Sequence, residues 1–274
     1  MNRYRLSRFG LVALGCLVGG GVPAGAQMAQ LRLPETMEAI APPAVPFGVG
    51  ERLIYNVKLG WFNVGEGELS VLGVDSIRGA PSYHLSMALT ASAMFGTVKV
   101  RDRFSSWMDV RTLSSRRFIR DQHEHNYKSY REFEIYPEEK RWERTDEDKE
   151  GVTLSEAPLD EIAFIYWMRT LPLEVGESYT FEGKYFKEDG NPVVLKVLRR
   201  EEMETGAGRF NTIVVQPIIR TKGLFSEGGK AEVYLTDDED RLMVYLRSEI
   251  PVAGSITLHL ERIEGVPGRN TVVN

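Results

Sequence analysis

From residue 47 onward, apolar and polar positions alternate with period two over most of the chain. In "YHLSMALT", Tyr83, Leu85, Met87 and Leu89 share one face, with His84, Ser86 and Ala88 opposite. In "YREFEIYP", Phe133 and Ile135 oppose Glu132, Glu134 and Tyr136. In "SITLHLERI", Ile256, Leu258, Leu260 and the stem of Arg262 oppose His259 and Glu261. Alternation of this kind marks antiparallel strands with one wet face. Turn signals such as "IRGAP", "YPEEK", "KEDGNP", "TGAG" and "TDDED" recur at short intervals. The pattern predicts a mainly β fold of about a dozen antiparallel strands, arranged as two facing curved sheets or half-barrels.

One segment breaks the rhythm. "APLDEIAFIYWMRTLP", Ala157 to Pro172, reads as a helix centred on 159–171, apolar all round from Ile162 to Met168. Such a helix is buried on most sides and plugs the open end or face of a sheet. Pro158 suits its first turn, Asp160 and Glu161 complement the N-terminal dipole, and Arg169 complements the C-terminal one.

"VGERLIYNV" from Val49 and "VGESYTFEG" from Val175 echo each other at an offset of 126 residues, which also lays "LSVL" (69–72) over "LKVL" (195–198). Further on, Trp107 aligns with Tyr234 and Leu113 with Leu242. The echo reads either as a duplicated architecture or as the chance alignment of two meanders; the fixed offset favours duplication. The similar halves are then 47–156 and 173–265, joined by the helix into a single domain, 47–265. In each echo the Gly is expected to make a tight turn and the Glu an exposed strand start.

The N-terminus adds a compartment. Arg3, Arg5 and Arg8 precede an apolar run from Phe9 to Val22, and "AGA" precedes Gln27, so residues 1–26 read as a signal peptide cleaved between Ala26 and Gln27. The alternative is lipidation of Cys16, whose upstream "ALG" is a poor lipobox. Cleavage at Ala26 removes that residue, the only cysteine, so the mature chain folds without a disulfide. Residues 27–46 read as a Pro/Ala-rich linker and 266–274 as a frayed tail. Loss of three arginines makes the formal net charge of −5 still more negative. This excludes a nucleic-acid partner and offers anionic lipid no general attraction. The expected location is the periplasm of a Gram-negative-type bacterium, with no transmembrane segment in the mature chain.

Chemistry is sparse. In "HEH", His123 and His125 lie two positions apart on one strand face, but two ligands are too few for a specific metal site. "TDDED" lacks the spacing, the Gly and the closing Glu of a calcium loop. Arg111, Arg116, Arg117 and Arg120 read as one solvated strand face. There is no nucleophile elbow and no phosphate-cradling loop, hence no catalytic residue or cofactor to name.

The segments "FGVGERLIYNV", "DEIAFIYWMR" followed by "PLEVGE", "GRFNTIVVQP" and "EVYLTDDEDRLMVYLR" together resemble the exported bacterial proteins of domain of unknown function 3108. Tyr234 and Met243 stand where that family more often has Trp and Pro. The resemblance implies an envelope location and a β-rich fold, and carries no catalytic residues over.

The expected function is that of a non-enzymatic envelope protein binding an apolar or amphipathic ligand, such as a lipid or glycolipid, between its sheets. Trp61, Phe62, Phe164 and Trp167 are the expected lining. The alternative is a structural or assembly partner of another envelope protein. A metal-dependent hydrolase using His123, Glu124 and His125 is a third reading.

Overall fold

The computed structural model describes residues 42–93, 98–124, 126–220, 225, 231–250 and 254–269. The signal segment with Cys16, Ala26 and Gln27, most of the linker, His125 and residues 270–274 lie outside them.

Fourteen strands form one continuous antiparallel sheet. They are β1 (Arg52–Leu59), β2 (Phe62–Ile77), β3 (Ala80–Ala93), β4 (Val98–Asp109), β5 (Ser115–Glu124), β6 (Tyr127–Tyr136), β7 (Arg141–Arg144) and β8 (Lys149–Val152). After the helix α1 (Glu161–Met168) come β9 (Ser178–Phe181), β10 (Val193–Thr205), β11 (Gly208–Ile218), β12 (Glu232–Thr236), β13 (Met243–Ile250) and β14 (Gly254–Glu264). Every strand pairs with its sequence neighbour except at two places: β14 pairs with β1, and β8 and β9 are the free edges. The expected two facing sheets are thus one sheet, because β1 bonds to β2 on one side and to β14 on the other. The sheet does not close into a barrel.

The expected alternation sets the core. Leu85, Met87, Phe133, Ile135, Leu258 and Leu260 are all buried on one face. Arg262 departs from its expected face: a bulge opposite Ile54 and Tyr55 shifts the register of β14, so Ile263 turns inward beside Leu53 instead.

The two echo segments adopt the same turn. Gly50 and Gly176 both have φ +94°. Gly50 N–H donates to Val71 O and Val71 N–H to Glu51 O, each at 2.9 Å; Gly176, Val197 and Glu177 repeat both bonds at 2.9 Å. A bulge follows Val71 in β2 and Val197 in β10. Bulges also follow Trp107 and Tyr234, the pair aligned from sequence.

The helix is shorter than expected. Residues before it are held extended, since Leu159 N–H donates to Lys184 O (2.7 Å) and Leu159 O accepts from Phe186 N–H (3.0 Å). Asp160 is therefore the N-cap, with Oδ1 accepting from the N–H groups of Ile162 (2.9 Å) and Ala163 (3.0 Å). Among the described residues no helix is long and apolar enough to cross a membrane. The start of the expected tail is fixed: Val266 is buried, and Arg269 pairs with Asp238 (2.5 Å) and Asp240 (2.7 Å).

Candidate functional site

In the second half, the core face of the sheet carries a run of buried apolar residues: Val193, Leu195, Val197, Val215, Val233 and Leu246. The first half differs. Three register rows cross β3 to β6 on that face. The lowest is Leu85, Ser106, Phe118 and Phe133; the next is Met87, Phe104, Arg120 and Arg131; the third is Leu89, Asp102, Gln122 and Ser129. Glu124 stands one row higher, beside Val100. An aromatic floor thus gives way to a charged rim toward the β5–β6 turn.

Arg120 and Arg131 sit directly opposite each other. Like charges in that arrangement repel. Relief comes from α1: Glu161 Oε1 lies 3.4 Å from the Arg120 guanidinium and accepts a 2.8 Å bond from the Tyr185 hydroxyl. Arg120 Nε and Glu161 Oε2 are buried and find no hydrogen-bond partner among the described residues. Burial raises the Glu124 carboxyl above its ordinary value, and nearby Asp102 adds to the effect.

The connection from β9 to β10 closes over the floor. Phe186 meets Phe133 at 5.2 Å and Phe118 at 6.3 Å between ring centroids, and Lys187 Nζ lies 4.4 Å from the Phe133 ring. Burial holds the Lys187 ammonium below its usual range, against the pull of Glu161. Asn191 braces this segment: its Oδ1 accepts from Tyr185 N–H (3.0 Å), and its Nδ2 donates to Tyr185 O and Lys187 O (both 2.9 Å).

Below the floor, Ser106 and Ser115 hydroxyls donate to Asp160 Oδ2 at 2.6 and 2.7 Å, fixing the helix start to the sheet. Burial pushes the Asp160 carboxyl up to about 6, with the Ser106 hydrogen bond opposing it. At the helix end, the Arg169 guanidinium binds Glu51 (2.6 and 2.9 Å), Pro46 O (2.7 Å) and Asp240 O (3.0 Å). Glu51 is therefore buried where an exposed strand start was expected, while its counterpart Glu177 is exposed.

The four aromatics expected to line a pocket are not brought together. Phe164 is sealed in the core and Trp167 is half-buried beside it, with ring centroids 5.8 Å apart. Trp61 and Phe62 stand in solvent at the β1–β2 turn, and no ring contact joins them to the helix pair among the described residues. The reason is packing: α1 uses Phe164 against Phe225 and Trp167 against Phe181. His123 points outward and lies 3.0 Å from Asp121; its expected companion His125 is outside the described residues. No group of three or more metal-ligating side chains occurs among the described residues.

Nor do the four arginines share one solvated face. A bulge at Ser115 and Arg117 breaks the alternation. Arg116 pairs with Asp109 (2.6 Å) and Glu138 (2.6 Å), Arg117 pairs outward with Glu134, and Arg120 turns inward beside Phe118. The rim residues Asp102, Arg120, Arg131 and Lys187 were missed from sequence. A signal existed: Arg120 is two residues after Phe118 and Arg131 two before Phe133, so period two puts both arginines on the core face.

Open clefts lie at the surface of the described residues. One of about 710 Å³ lies on the outward face between Gly65, Thr90, Lys99, Arg101 and His123. Others of about 620 and 560 Å³ lie by Arg78 and Arg116 and by Arg169 and Arg241.

Residues 54–261 match the family described as "Protein of unknown function (DUF3108)". The chain belongs to the DUF3108 family. That description assigns no activity. Among curated proteins none matches. Among solved structures, a β-barrel-like protein of domain of unknown function DUF1849 from Brucella abortus superimposes with TM-score 0.51 at 8% identity, covering 80% of this chain and 98% of that one. This likeness concerns the fold alone. A candidate lipoprotein from Parabacteroides distasonis aligns with TM-score 0.32 at 9% identity, over 80% of this chain and 98% of its own. A candidate exported protein with a YmcC-like fold from Bacteroides fragilis gives 0.29 at 12%, over 81% and 99%.

Proposed function

We propose that this DUF3108 chain is an exported, non-enzymatic envelope protein that holds an amphipathic ligand on the core face of β3 to β6. The apolar part of the ligand lies toward Phe118, Phe133 and Phe186. Its polar head sits among Arg120, Arg131, Gln122 and Glu161. The observation that carries this reading is the register pairing of Arg120 with Arg131 above an aromatic row. Two half-buried cations side by side repel and cost stability unless acceptors meet them, and a polar head group supplies acceptors. Export rests on the basic n-region, the apolar run and the "AGA" site.

Native mass spectrometry of the protein taken from its own host envelope tests the reading. A bound small molecule is expected, displaced by a fluorescent fatty acid and lost in Arg120→Leu/Arg131→Leu. Ligand-free recovery combined with no fatty-acid uptake would overturn it. A second reading, assembly with another envelope protein, is favoured by the free edges β8 and β9. A stoichiometric protein crosslinked at either edge in intact cells would support that reading instead.

A further inference from the structure

Trp61 is 97% exposed and Phe62 is 75% exposed, side by side at the tip of the β1–β2 hairpin. Two large rings left in water oppose the tendency that built the rest of the molecule. The tip is also firmly held. Gly60 N–H donates to Ser255 O of β14 (3.0 Å), and Asn63 Nδ2 donates to Asn56 Oδ1 (3.2 Å). The rings are presented by a braced turn.

Around the base of this tip runs a collar of cations on the outward face. One register row reads Glu66, Thr90, Arg101, His123 and Lys128 across β2 to β6. Lys99 pairs with Ser92, and Lys58 with Asn63 at the foot of the tip. Lys58, Lys99, Arg101 and Lys128 make no ion pair among the described residues, whereas Arg52, Arg116, Arg141, Arg144 and Arg199 each make two. Glu66 is the one carboxylate in that register row, and Asp121, two positions before His123, lies 3.0 Å from the His123 ring. The meander sets the β1–β2 turn, the start of β4 and the β5–β6 turn at one end of the sheet.

We propose that this end docks on an anionic lipid surface. Trp61 and Phe62 enter the interfacial layer, while Lys58, Lys99, Arg101 and Lys128 meet head-group phosphates. Tryptophan favours the boundary between head groups and acyl chains, and cations beside it add attraction to anionic lipid. Charge complementarity selects this occupant: the chain as a whole is acidic, whereas the four cations beside the exposed rings have no ion-pair partner among the described residues. That end is also the one toward which the charged rim opens. The inference does not depend on the ligand reading.

Co-sedimentation with vesicles of phosphatidylcholine containing about a third phosphatidylglycerol tests it, because anionic surface charge governs the collar. Wild-type chain is expected to sediment with them and to stay largely in solution with phosphatidylcholine alone. Trp61→Ser/Phe62→Ser should weaken partitioning about tenfold or more. Lys99→Glu/Arg101→Glu should weaken it at least about fivefold at low salt, a difference that high salt removes. All four sites are at the surface, so an unchanged unfolding midpoint confirms folding. Equal sedimentation of wild type and tip variant would overturn the proposal, as would wild type remaining in the supernatant. A protein partner crosslinked through position 61 in stoichiometric yield without lipid would also overturn it. Arg120→Leu/Arg131→Leu should sediment as wild type does, which separates this outcome from that of the ligand reading.

Discussion

Arg169 at the end of α1 and Glu51 at the start of β1 form a buried ion pair across 118 positions of sequence, at 2.6 and 2.9 Å, with both side chains withdrawn from water. The same guanidinium reaches Pro46 O and Asp240 O, so one side chain ties the helix to the first strand and to the β12–β13 turn. Removal of either partner leaves an uncompensated charge in the interior.

Glu51→Gln is therefore expected to lower unfolding free energy by about 3–5 kcal/mol. Glu177→Gln, at the exposed counterpart, should stay within about 0.5 kcal/mol. Urea unfolding of both variants decides. Equal effects at the two positions would contradict the assigned burial.

Gly50 and Gly176 share a positive φ, and an added Cβ at either would touch nothing within 4 Å. Their cost on substitution is thus backbone strain alone. Gly50→Ala and Gly176→Ala should each cost about 1–2 kcal/mol. Gly48→Ala, which is also uncrowded and has no positive φ, should be neutral to about 0.5 kcal/mol. Thermal melts of the three variants make the comparison.

Asp160 titrates near 6 in the folded chain and near ~3.9 unfolded. Between those values the folded state binds the proton more tightly, so the contribution of this group to stability falls as pH rises from about 4 to about 6 and is level above. Asp160→Asn should flatten that part of the curve. Asp160→Ala also loses the cap and the serine bonds, and should be weaker by about 2 kcal/mol throughout. Urea midpoints measured across this range check both; parallel slopes in wild type and Asp160→Asn would refute the assignment.

Asn191 satisfies three backbone groups of the segment that covers the aromatic floor. Asn191→Ala should cost about 2 kcal/mol. Hydrogen exchange should quicken first at Tyr185 and its neighbours, ahead of β10. Uniform acceleration across the sheet would mean that the segment is not a separate cover.

Much of the fold was legible because strand periodicity is local. Leu85, Met87, Phe133 and Leu258 declare their face from two residues on either side. The "VGE" echo gave the turns at Gly50 and Gly176 for the same reason. What failed depended on distant partners or on single-residue slips. Glu51 looks like any polar strand start until Arg169 arrives from the helix. Arg262 and the arginines around Arg117 changed face because bulges shift parity by one, and nothing in composition announces a bulge. The joining of β1 to β14 was invisible too, since an alternating strand does not specify its neighbour. Of the site, Trp61 and Phe62 were visible as aromatics but placed in the wrong setting, and the rim at Arg120 and Arg131 was overlooked because arginines on a strand were assigned to solvent.

The pairing of β14 with β1 also sets an order of assembly. The seam at the middle of the sheet joins the first strand of the domain to the last, with Gly265 packed so closely on the Gly50 carbonyl that a Cβ would lie 1.9 Å from it. Local hairpins form early and cheaply, whereas this contact closes a loop as long as the domain. A chain that emerges N-terminus first keeps one side of β1 bare until the final residues arrive. Truncation just before Gly254, which removes β14 whole, would thus open the centre of the sheet and leave both of its natural edges untouched.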